Sequence, residues 1–215
     1  LLVVMVAAAA FGWSQVEVID VAGRQIALAP AWTWGAFVLV LILGFAALFA
    51  FRAIALIAVG YALAQGSLLG ISSHYFNLEF DGIVLQAVLT TVSIFGATLV
   101  LYLAGVIKVT SRMARGVIVA MGGLLLLYLT AWLFSLFGVR FRFLSEPTAL
   151  GIALSLGVVV LGALNLPLDF EFIRKASERG APKKMEWYGA YGLMLSIIWM
   201  YVSILRLLAL LRSRR

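Results

Sequence analysis

The chain has 215 residues, a net charge of +7 and no cysteine; it is 65% hydrophobic and only 12% charged, with a mean hydropathy of +1.13. A soluble domain carries roughly 25% charged residues, so a water-soluble fold is excluded, as are disulfides, thiolate metal sites and cysteine nucleophiles. Lipid must cover this much apolar surface. The long continuous runs read as membrane-spanning helices, and the basic excess fits the lysines and arginines kept in cytoplasmic loops, with no call for nucleic acid as a partner.

Taken in chain order, seven apolar runs predict an all-α polytopic membrane protein, a single seven-helix domain over residues 1–215. The first, Leu1–Trp13, is short for a crossing and opens inside an apolar run without Met, so we expect a first helix truncated at its N-terminus. Trp32–Phe51 and Ala53–His74 follow, separated by Arg52 alone, which demands a very tight turn. Gly82–Lys108, Met113–Gly138, Thr148–Ile173 and Trp187–Leu211 complete the set.

Loop charges orient the chain. Arg52, then Lys108, Arg112 and Arg115, then Arg174, Lys175, Arg179, Lys183 and Lys184 fall on one side, nine basic residues against three (Arg24, Arg140, Arg142) on the other. The richer side is expected to be cytoplasmic. The tail Arg212, Arg214 and Arg215 then lies outside, against the trend of the loops.

Most polar residues inside the runs serve packing. Gly60, Gly66 and Gly70 with Ser67 form a small-residue face where helices approach closely, and Gln65, Gln86 and Asn165 can hydrogen-bond between helices. Trp13, Trp32, Trp34 and Trp187 stand at span ends as an aromatic belt requires. His74 reads as an interfacial histidine at a helix end. No catalytic signature is present. Ser72, Ser73 and His74 are merely adjacent, there is no nucleophile elbow, and a single histidine leaves zinc without its usual ligands. The glycines are dispersed through helices and form neither a P-loop nor a dinucleotide fingerprint. An enzyme is therefore not expected, nor a tightly bound cofactor.

The stretch "ALNLPLDFEFI" (163–173) places two carboxylates at the end of an apolar run. Glu171 can reach Arg174 and Lys175, three and four residues on, and reads as an anchor of the helix end. Asp169 lies five residues before Arg174, roughly 7–8 Å inside the basic end of its span. It shares a face with Asn165, and Pro167 between them interrupts the backbone ladder. A carboxylate, an amide and loosened carbonyls can bind a cation or share a proton; the competing reading is that Asp169 pairs with Arg52 as a structural anchor. An ionisable group inside a span is a functional candidate by default.

The chain resembles the Bax inhibitor-1 family, the transmembrane Bax inhibitor motif proteins, and most closely a bacterial branch of it. The resemblance covers almost the whole chain and is carried by "GSLLGISSHYFN", "GIVLQAVLTTVSIF", "ALNLPLDFEFI" and "APKKMEWYGAYGLMLSIIWMYVSILRLLALL" in that order. It implies a seven-helix bundle with the last helix central, and a pH-sensitive calcium leak gated by a carboxylate pair. Asp169 matches the first carboxylate, and Arg52 is a looser match to a basic latch. The second carboxylate is absent: counting ten residues back from Arg206 lands on Ser196. Calcium takes six to eight oxygens, usually with more than one carboxylate, so Glu186, entering the last span from the cytoplasmic side, is a candidate substitute.

These readings lead to a cation leak with Asp169 as its charged constriction (and tentative calcium ligand), with calcium or protons as the moving ions and the bacterial plasma membrane as its location. The alternative is a non-conducting regulator that binds another membrane protein, such as a membrane-anchored AAA protease.

Overall fold

The computed structural model describes residues 1–21, 24–138, 141 and 146–214. Among these residues seven α-helices follow in order: α1 (Leu2–Ser14), α2 (Thr33–Phe49), α3 (Ile54–Glu79), α4 (Ile83–Leu103), α5 (Ser111–Leu136), α6 (Ala149–Glu178) and α7 (Lys184–Arg212). Five of them, α3 to α7, are long and apolar enough to cross a membrane. At about 1.5 Å per residue, α2 with its 17 residues extends about 25 Å and stands at the short end of what can span. Arg52 lies in a 3-10 turn, Phe51–Ala53, that connects α2 and α3. The Arg140 and Arg142 of the charge count, and the tail's Arg215, lie outside the described residues.

Three features differ from expectation. Between α1 and α2 the chain forms an antiparallel hairpin, β1 (Glu17–Val21) with β2 (Arg24–Leu28), in the register Glu17↔Leu28 to Val21↔Arg24. The fourth span stops at Leu103, five residues before Lys108, because Gly105 at φ +71° turns the backbone out of the helix. There the amides of Gly105 and Val106 return to the carbonyls of Tyr102 and Leu101. α6 runs five residues beyond Ile173, through the basic stretch to Glu178.

The chain divides into two compact units, residues 1–84 with 176–194, and residues 85–175 with 195–215. In the first, α1 lies against α3 with almost no side chain between them. A Cβ on Gly66 would strike Met5 and Ala8, one on Gly70 the carbonyl of Ala9, and one on Gly12 the backbone of Ser67. This is the small-residue approach that lets helices pack in lipid, where apolar burial against another helix gains little over burial against acyl chains. The hairpin is tied to α3 by the Tyr75 hydroxyl, which donates to Ala27 O at 3.0 Å. Tyr61 of α3 meets Tyr191 of α7 edge to face, 5.3 Å between centroids.

The second unit holds most of α4, α5, most of α6 and the end of α7. α5 presents nearly its whole length outward, with Val117 its buried residue. Thr110 caps its start, accepting from the Met113 amide at 3.2 Å. α6 and α7 pack antiparallel: Asn165 meets Ser196, and Gly162 meets Met200.

Candidate functional site

Helix periodicity puts Ser155, Gly162, Asn165 and Asp169 along one face of α6, and Ser196, Met200 and Ser203 along one face of α7. Where the faces meet, Asn165 Nδ2 donates to Ser196 Oγ at 2.8 Å and, with a longer contact of 3.4 Å, to Asp169 Oδ2. The Ser196 hydroxyl also faces the Asp169 carboxylate. Ser196 is 7% exposed, while Asn165 and Asp169 are half-buried. Asp169, Asn165 and Ser196 are therefore brought together. Within this unit no basic side chain among the described residues pairs with Asp169.

Pro167, buried inside α6 between the two polar residues, withholds the amide that the Ala163 carbonyl would otherwise accept. The cluster thus gathers three side-chain oxygens, two from Asp169 and one from Ser196, around the Asn165 amide nitrogen, against the six to eight of a closed calcium shell. Among the described residues no group of three or more His, Cys, Asp and Glu stands together as a metal cage.

Glu171 behaves as its spacing predicts. Its carboxylate pairs with Arg174 at 2.8 Å and Lys175 at 3.1 Å, and accepts from Arg174 Nε at 3.0 Å. The Tyr102 hydroxyl of α4 adds a hydrogen bond at 2.6 Å, a partner with no sequence signal. The two carboxylates of "ALNLPLDFEFI" thus have separate surroundings, one an ion-paired helix end and one a polar cluster flanked by apolar residues.

The remaining candidates are placed as follows. Arg52 is exposed on its 3-10 turn. Glu186 is exposed in the first turn of α7. Of the amides expected to bridge helices, Asn165 does so, and Gln86 does so by accepting from Arg212 at 3.0 Å. Gln65 makes no such bond among the described residues. His74 sits inside α3, not at its end, because the helix continues to Glu79. Its ring packs 4.7 Å from that of Trp13, and its buried Nδ1 has no hydrogen-bond partner among the described residues. Ser72 donates to the Leu69 carbonyl of its own helix at 3.0 Å.

One cluster was passed over in reading the sequence. Arg206, inside an apolar span, donates to the Tyr128 hydroxyl at 2.8 Å and stands 5.7 Å from that ring's centroid. With Ser155, Val158, Trp199 and Ser203 they line a cavity of 180 Å³. A lone arginine within a hydrophobic run is itself the signal that could have found it.

No curated protein and no solved structure matches the chain. The model of one family, described as Bax inhibitor 1 like, matches residues 1–213. With five long apolar helices and that match over nearly its whole length, the chain is a multi-pass integral membrane protein and belongs to the Bax inhibitor-1-like family.

Proposed function

We infer that the protein is a passive, pH-sensitive cation leak that favours calcium, with Asp169 as its charged constriction. The single observation that supports this is the setting of Asp169, a carboxylate within a span, flanked by an amide and a hydroxyl and without a basic partner in its unit. Such a group attracts cations into a low-dielectric path, and its protonation removes the cluster's charge. Three side-chain oxygens hold a dehydrating cation weakly enough for it to leave, which conduction requires. The ion is a substrate here, not a resident cofactor. Arg52 is the closing partner that the family resemblance implies, and Arg52→Gln is expected to raise the leak near neutral pH. The membrane is the plasma membrane of a bacterium.

Ser196 favours a second reading. A hydroxyl where relatives are thought to carry a second carboxylate removes the shared-proton pair, and suits a non-conducting regulator of another membrane protein, such as a membrane-anchored AAA protease. The two separate in liposomes loaded with a calcium dye: the leak reading expects calcium entry that Asp169→Asn abolishes or renders insensitive to pH. The regulator reading expects no entry in either chain.

A further inference from the structure

The polar residues on the facing surfaces of α6 and α7 fall into two groups. Toward the basic end lie Asp169, Asn165 and Ser196. Toward the end at which α7 finishes lies the 180 Å³ cavity of Tyr128, Ser155, Ser203 and Arg206. That cavity has polar groups on its wall. Ser155 is only 5% exposed, lines the space, and its hydroxyl has no hydrogen-bond partner among the described residues. The Tyr128 oxygen accepts from Arg206, which leaves its own hydrogen to be donated. A volume of this size takes several waters, and hydroxyls around a guanidinium supply the polar partners those waters need.

Between the two groups stands Met200. It is 0% exposed, four residues from Ser196 and three from Ser203 on the same face, about 6 Å and 4.5 Å of helix rise. It covers Gly162, whose missing Cβ would lie 3.7 Å from the Met200 Cβ. Leu166 and Ile204 on the same two helices are likewise buried, 0% and 2% exposed.

We propose that Met200, seated over Gly162, is the apolar seal between the hydrated cavity at Arg206 and the Asp169 cluster. The inference rests on the leak reading and assigns its closed gate to a thioether. A dry constriction about one side chain long stops ions by excluding water, without any charge, and an unbranched methionine can swing clear at small cost. Gly162 supplies the room into which that side chain packs.

The cysteine-free chain permits a test that needs no ion flux. Ser155→Cys and Ser196→Cys are made singly, in chains with and without Met200→Ala, and exposed to a membrane-impermeant cationic thiol reagent from the face where α7 ends. With Met200 present, the Ser155 variant is expected to react at least about tenfold faster than the Ser196 variant, and Met200→Ala to close most of that gap. Equal rates with Met200 in place would overturn the proposal, and so would a Ser196 variant that stays unreactive after Met200→Ala. Gly162→Ala guards against misfolding of the truncated variant. Its added methyl makes ordinary contact with Met200 and is expected to slow both modification of the Ser196 variant and calcium entry; acceleration would count against the seal. Calcium entry is measured in parallel on the cysteine-free Met200→Ala chain. Opened access without calcium entry would remove the leak reading and leave the seal standing; entry without opened access would remove the seal alone.

Discussion

Glu171→Gln and Asp169→Asn each delete one negative charge from α6, two residues apart, and are expected to fail in opposite ways. Glu171 holds Arg174 at 2.8 Å, Lys175 at 3.1 Å and the Tyr102 hydroxyl at 2.6 Å. Its side chain is 13% exposed, but those of Arg174 and Lys175 are 48% and 52% exposed. Solvent therefore screens the two ion pairs, and together they contribute up to about 1 kcal/mol. The Tyr102 bond joins α4 to α6 and adds about 1 kcal/mol, because its loss leaves a hydroxyl facing a weaker acceptor. Glu171→Gln should thus cost about 1–2 kcal/mol, and for a chain of this length lower Tm by about 2–8 °C, with a smaller drop in high salt. Asp169→Asn keeps the shape of the side chain and an amide oxygen that can still accept from Asn165 or Ser196, so its Tm should stay near native. Thermal unfolding in detergent, read by tryptophan fluorescence, and calcium entry into liposomes are measured on both variants. Unfolding loss without loss of leak is expected for Glu171→Gln, and the reverse for Asp169→Asn. The opposite pattern would refute the division of the two carboxylates into anchor and working group.

Gly70→Leu drives a side chain into the Ala9 carbonyl and should separate α1 from α3, with a loss of about 3 kcal/mol or more visible as a lower Tm and poor yield; a native melt would mean that the two helices do not pack as described. His74→Phe keeps the ring against Trp13 and removes a buried nitrogen without a partner. It should leave stability unchanged or raise it by about 1 kcal/mol, with calcium entry unaltered; a lost leak would make His74 a proton carrier. Tyr128→Phe removes the 2.8 Å bond from Arg206 while leaving a ring beneath the guanidinium, and should cost about 1 kcal/mol in the same melt.

Hydropathy made the helices legible, five of them as runs of about twenty apolar residues, which have few other outcomes, and α1 and α2 as shorter apolar runs. Their ends were less so, for local reasons. Gly105 halts α4 inside an apolar run that hydropathy alone extends to Lys108. Conversely, α6 continues through charged residues to Glu178 because Glu171, Arg174 and Lys175 support the helix at spacings of three and four. The hairpin was hidden because Val16–Val21 alternates for only a few residues and lies between two stronger apolar signals. At the candidate site, Asn165 and Asp169 were placed on one face by helix periodicity, whereas Ser196 was reached through its counted distance from Arg206. Contacts such as Tyr102 to Glu171 and Arg206 to Tyr128 join residues 69 and 78 positions apart, and no local pattern announces them.

The most direct test of the account is calcium entry into dye-loaded liposomes by the native chain, Asp169→Asn and Asp169→Glu, across roughly pH 6 to 8. The account predicts entry that varies with pH in the native chain, none or pH-insensitive entry for Asp169→Asn, and partial recovery for Asp169→Glu. Equal, pH-dependent entry in all three, or no entry in any, would contradict it.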